Sequence, residues 1–256
     1  MNSKLPKLAL STAFELSSYG ENSCNYADSV CAYIYTPKTS LEQISNYTVE
    51  VKNYQLAVND TTLVTVYYIL PKNITADTKV FFAMAGIGTR DDTFANALRY
   101  LSEKENLAVI APIYLDRTDW PYSDIVFEDF VERFGLKAQK YILYGFSQGG
   151  YFTARQVQFK ESKYIDYAIV HSAGWSSNNI SLRENRRVYI ITGRKEETMQ
   201  YLGHAFNMFK TGKEYCEKNG WDFSWRLFVM DGIGHVCDNA ILPYILDIIN
   251  GLTEEK

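Results

Sequence analysis

Ser147 stands between Gly145 and Gly149, and its hydroxyl is the first group in this chain whose setting suggests chemistry. A serine hydroxyl is a poor nucleophile until a base removes its proton, and the base needs an acid to hold its tautomer and stabilise the imidazolium. Only three histidines are available as that base. His171 falls at the end of an apolar run, His204 inside a helical pattern, and His235 in a glycine-bearing turn. Functional groups of an open parallel sheet gather at the carboxyl ends of its strands, and a glycine-flanked loop lets a side chain reach across. His235 meets both conditions. His171 reads as a core or pocket residue and His204 as structural.

The chain order nucleophile, acid, base places the acid between the serine and the histidine. Glu196 is the first choice, three residues beyond Gly193, with Glu197 and Asp231 as rivals. Glu196 and Glu197 equally suit the start of a helix, where acids oppose the dipole. A developing oxyanion needs two backbone N–H groups. Gln148, next to the serine, supplies one, and Ile87, between Gly86 and Gly88, is the choice for the other. Both glycines also suit a tight turn.

These residues need elements to hold them. Residues 141–144 form an apolar run of strand length entering the G-x-S-x-G, and residues 151–160 follow with a helical pattern. That strand, turn and helix place the serine at a helix N-terminus, where free N–H groups favour negative charge. Ahead of it, residues 47–58 and 63–70 read as an antiparallel hairpin about Asn59 and Asp60. Further strands are expected at 79–85, 107–112, 164–172, 187–192 and 224–229, and a short one within 30–35. Helices are expected at 93–105, entered through Asp91 and Asp92, and at 125–134, 198–218 and 236–250. The alternation from residue 80 onward predicts one α/β domain, a mostly parallel sheet with helices on both faces, over residues 1–256. Residues 1–40 form an arm of uncertain structure.

The G-x-S-x-G at Gly145–Gly149, the glycine-bearing loop at Gly86, the acid after the penultimate strand and His235 after the last resemble the α/β-hydrolase superfamily over residues 47–250. Gly145 to Gly150 is similar to carboxylesterases and acyl-protein thioesterases. The hairpin and the Trp175 loop are similar to polyhydroxybutyrate depolymerases and feruloyl esterases. The resemblance implies Ser147 as nucleophile, His235 as base and Glu196 as acid. Two departures are Ala85-Gly86 where the superfamily usually has His-Gly, and glutamate where it usually has aspartate.

Too few residues separate the strands at 164–172 and 187–192 for a large cap, so an open, shallow site is expected. Gly86 is a candidate pocket residue, and Trp120, Tyr122, Tyr151 and Trp175 are candidate walls, fitting an acyl or aryl group of modest size, and equally fitting a core. The reaction expected is hydrolysis of a small ester or thioester through an acyl-enzyme, with no metal and no cofactor. A peptidase of the same fold and a catalytically silent binding protein are the alternatives.

Composition narrows the partners. The net charge of −4, without a dense Lys/Arg cluster, opposes a nucleic-acid surface. No apolar run approaches the ~20 residues of a membrane span. Pro6 and Glu15 interrupt the only signal-like stretch, leaving a cytoplasmic or secreted location open. Four cysteines offer the pairs Cys24 with Cys31 and Cys216 with Cys237, or four free thiols.

Overall fold

The computed structural model describes residues 32–75, 78–89, 91–113, 122–159, 163–175, 180–182, 185–195 and 199–253. The hairpin comes first. β1 (Lys52–Ala57) and β2 (Leu63–Ile69) pair antiparallel, with Leu56 opposite Val64. Asn59 closes the turn: its Oδ1 accepts from the backbone N–H groups of Thr61 and Thr62 at 2.9 and 2.8 Å.

Six more strands follow: β3 (Val80–Met84), β4 (Ala108–Ile113), β5 (Tyr141–Phe146), β6 (Ile165–His171), β7 (Val188–Gly193) and β8 (Trp225–Met230). The sheet order is β1-β2-β4-β3-β5-β6-β7-β8, antiparallel at β1–β2 and β2–β4 and parallel from β4 to β8. Ile34 adds a single parallel bridge beyond β8, with Val229 donating to Tyr33 at 2.8 Å. Residues from Tyr33 onward form one compact unit.

The helices are α1 (Thr93–Ala97), α2 (Arg99–Glu105), α3 (Ser123–Arg133), α4 (Gln148–Phe159), α5 (Met199–Lys218) and α6 (Leu242–Ile249). Strand alternation divides the core between them. Phe81, Ile142, Tyr144, Ile169, Ile191 and Phe228 join residues of α1, α2 and α6 on one face. On the other, Phe82, Tyr141 and Leu143 pack with α3, and Val170, Ile190 and Trp225 pack with α4 and α5. Only residues 172–187 join β6 to β7, too few for a large cap inserted there.

Three expectations about helices are corrected. The stretch 93–105 is two helices rather than one, parted at Leu98, whose N–H bonds Ala95 at 3.0 Å in a tighter turn. Asp91, not Asp92, caps the entry, accepting from Thr93 N–H at 3.0 Å. The last helix begins after a 3₁₀ turn, Asn239–Ile241, because Asp238 is extended and its carboxylate takes the Ala240 N–H at 2.8 Å.

Candidate active site

β5 ends at Phe146 and α4 begins at Gln148, so Ser147 alone makes the turn. Its φ is 55°, the left-handed region that costs a non-glycine residue free energy. Two backbone bonds hold it there: Ser147 N–H donates to the His171 carbonyl and Tyr151 N–H to the Ser147 carbonyl, both at 3.0 Å. The flanking glycines make the turn possible. A Cβ at Gly145 would lie 2.1 Å from the Gly149 carbonyl oxygen, and one at Gly149 would lie 2.1 Å from that of Met84. The start of α4 therefore presses directly on the end of β3.

That contact brings the loop after β3 to the serine. A Cβ at Gly86 would sit 3.4 Å from Ser147 Cβ and 3.4 Å from the Phe146 ring. Gly86 thus lies beside the serine, and Ile87 follows it, 71% exposed. Gln148 occupies the first helical position of α4, where the N–H has no partner within the helix.

His235 arrives from the turn after β8, which is bound to the end of β7. Arg194 N–H donates to Met230 at 3.0 Å and Lys195 N–H to Ile233 at 2.8 Å, and a Cβ at Gly193 would lie 2.5 Å from the Ile233 oxygen. Gly232, at φ 74°, turns the chain. The result is a contact across the sheet: His235 Nε2 lies 2.9 Å from Ser147 Oγ, and the serine is only 7% exposed. Two aromatic rings hold the imidazole, Phe146 at 4.8 Å and Tyr201 of α5 at 4.4 Å and 17°.

The other two histidines are engaged elsewhere. His171, fully buried, meets the Tyr144 hydroxyl through Nδ1 at 2.8 Å, and burial with His235 nearby pushes its pKa down to about 3. His204 Nδ1 bonds the Tyr151 hydroxyl, and burial lowers its pKa. Tyr151 thus lies one helical turn beyond the serine, tied to α5, with its hydroxyl pushed up to about 12 by burial and then by Tyr201.

The remaining candidates part company. Trp175 is packed into the core: it is buried against Trp225 at 5.9 Å, and its indole N–H donates to Thr211 Oγ1 at 2.7 Å. An aromatic residue in a loop satisfies a core as readily as a cleft. Tyr122 accepts a hydrogen bond from Asn59 in the hairpin turn. Asp231 forms a 3.2 Å ion pair with Arg194. Glu196, Glu197 and Trp120 lie outside the described residues, as do Cys24 and Cys31. Cys216 and Cys237 are free thiols, not a disulfide: Cys216, on α5, is buried in the core, and Cys237 lies 3.3 Å from the Tyr144 hydroxyl. Among the described residues no cluster of three or more His, Cys, Asp or Glu forms a metal site, and no helix is long and apolar enough to cross a membrane.

Phe146 and Tyr201 escaped the sequence reading. Tyr201 precedes His204 by three positions on one helix face, a spacing that equally marks a helix packed on a core.

Solved structures share this arrangement of strands and helices. Poly(aspartic acid) hydrolase-1 from Sphingomonas sp. KT-1 superposes with a TM-score of 0.67 at 17% identity, covering 78% of this chain and 98% of that one. LpqC, a poly(3-hydroxybutyrate) depolymerase from Bordetella parapertussis, gives 0.67 at 13% identity, covering 82% and 92%. The chain has the α/β-hydrolase fold. A feruloyl esterase module from Clostridium thermocellum superposes at 0.61 and 15% identity, covering 84% and 92%. No family model and no curated protein matches the sequence.

Proposed function

We propose that this protein is a serine hydrolase that cleaves carboxylic esters of modest size. The observation that carries the reading is the 2.9 Å approach of His235 Nε2 to Ser147 Oγ at a strained strand-to-helix turn. In the reaction, Ser147 Oγ attacks the ester carbonyl while His235 Nε2 takes its proton. The N–H groups of Gln148 and Ile87 receive the oxyanion, each worth roughly 3 kcal/mol of transition-state stabilisation. His235 then protonates the departing alcohol, leaving an acyl-serine. Water repeats the sequence and releases the carboxylic acid, restoring the serine. Glu196 serves as the acid partner of His235. Supporting that role, Lys195, one residue earlier, is bound to the His235 turn through Ile233 at 2.8 Å.

The solved relatives of this fold include hydrolases of poly(3-hydroxybutyrate) and feruloyl esters, which support an ester. A poly(aspartic acid) hydrolase among them makes an amide the second substrate class to assay. The test is hydrolysis of a p-nitrophenyl ester series, with fluorophosphonate labelling, by the wild type, Ser147→Ala and His235→Ala. Turnover is expected to fall by at least about 10³-fold in each variant. Fluorophosphonate attached to another residue, or turnover surviving in Ser147→Ala, would reject Ser147 as the nucleophile.

A further inference from the structure

Beneath His235 a second group of polar side chains is joined, and no step of the proposed reaction uses it. Tyr144, three residues before Ser147 on β5, is fully buried. Its hydroxyl lies 2.8 Å from His171 Nδ1 and 3.3 Å from Cys237 Sγ. Both partners belong to the site's framework. The His171 carbonyl receives the Ser147 N–H at 3.0 Å, and the His171 ring lies 4.9 Å from that of Phe146. Phe146 in turn lies 4.8 Å from His235, and Cys237 is two residues beyond it.

We propose that Cys237, Tyr144 and His171 act as a positioning device, a buried hydrogen-bonded chain that fixes the His235 turn against the strand carrying Ser147. The proposal rests on the reading of Ser147 as nucleophile and His235 as base. Three observations carry it.

The chain spans the elements whose separation sets the catalytic distance. β5 carries the serine, β6 holds its backbone, and the turn after β8 carries the histidine. The Tyr144 side chain touches a polar side-chain group of each of the other two. A hydrogen bond fixes distance and direction, whereas an apolar contact allows sliding.

The chain is also neutral throughout. Burial pushes the Cys237 thiol up to about 12, raises the Tyr144 phenol well above its ordinary value, and drives His171 down to about 3. Hydrogens then run one way, thiol to phenol to imidazole, or back in the reverse order. Either way both bonds form, and no charge is placed beside an imidazole that must itself become positive. A protonated His171 would oppose that step.

His171 Nε2, finally, is buried with no hydrogen-bond partner. Packing alone would be served as well by a phenyl ring there. The imidazole leaves one nitrogen unsatisfied and uses the other to orient Tyr144.

The experiment measures kcat and KM for p-nitrophenyl acetate in the wild type, Cys237→Ala, Cys237→Ser and Tyr144→Phe, with Ser147→Ala and His235→Ala alongside and folding checked by circular dichroism. Displacing a base by a fraction of an ångström lowers the rate rather than binding. Cys237→Ala is expected to lower kcat about tenfold with KM within about twofold, and Cys237→Ser, which restores a donor, to recover to within about threefold of wild type. Tyr144→Phe is expected to match Cys237→Ala, and if it does not fold, the Cys237 pair decides. A folded Cys237→Ala with wild-type kcat overturns the proposal, as does a Cys237→Ser no faster than Cys237→Ala. Wild-type turnover in Ser147→Ala or His235→Ala would instead remove the catalytic reading on which the chain depends.

Discussion

The ring of Tyr201 lies 4.4 Å from that of His235 and only 17° from parallel to it, although the two residues come from different elements. An aromatic face at that distance favours a cation, by about 1 kcal/mol for a partly exposed pair. In the proposed reaction His235 gains a positive charge as it takes the serine proton, and the contact then strengthens toward the transition state. Tyr201→Ala is expected to lower kcat/KM roughly fivefold, and Tyr201→Phe to stay within about twofold of wild type. Steady-state assay of the two variants checks this, and equal losses in both would assign the effect to the hydroxyl.

Two glycines near the serine should respond in opposite ways to the same added methyl. At Gly149 a Cβ would meet the Met84 oxygen at 2.1 Å, a backbone atom that cannot step aside. Gly149→Ala is expected to cost at least about 3 kcal/mol or to prevent folding. At Gly86 the nearest atoms stand at 3.4 Å, an ordinary contact. Gly86→Ala should therefore fold with stability within about 0.5 kcal/mol of wild type while losing activity, because its methyl faces Ser147. Urea unfolding beside ester turnover separates the two.

The buried imidazole of His171 makes stability depend on pH. Its pKa is about 3 in the folded protein against 6.5 for an unperturbed histidine. Between those values the unfolded chain binds a proton that the folded protein does not, so stability falls as the pH falls. The contribution is present in full above the unfolded value and is lost by up to about 1.4 kcal/mol per pH unit below it. His204, also lowered by burial, acts in the same direction. From about pH 7.5 to about pH 5, the wild type should lose roughly 2 kcal/mol more than His171→Asn. Denaturant midpoints at the two pH values give the comparison, and parallel losses would exclude His171 as the source.

Trp175 should behave as a core residue. Trp175→Phe removes the bond to Thr211 Oγ1, whose own hydroxyl still donates to the Asn207 carbonyl at 2.7 Å. A loss of about 1–2 kcal/mol in stability is expected, with KM unchanged across the ester series. A shift in chain-length preference would return Trp175 to the substrate site.

The sheet was legible because its strands are short apolar runs bounded by glycine, proline or acidic turns, as at residues 79–85 and 224–229. Its order was less so. β4 lies between β2 and β3, a placement set by pairings between residues far apart in the chain. The break at Leu98 left no mark, since its neighbours are ordinary helix formers. Ser147 and His235 stood out because each sits among glycines at a strand end. Tyr201 did not, because a helix facing a core and a helix facing a site carry the same periodicity. Trp175 was ambiguous for a related reason: its size announces burial without saying against what.

Cys216 and Cys237 remain thiols, one on the buried side of α5 and one against Tyr144, so no covalent bond between them staples the sheet and helices. The packed region containing them is held by contacts that neither glutathione nor molecular oxygen makes or breaks. A reductant has no bond between Cys216 and Cys237 to break, so whatever stability these two residues contribute should withstand it unchanged.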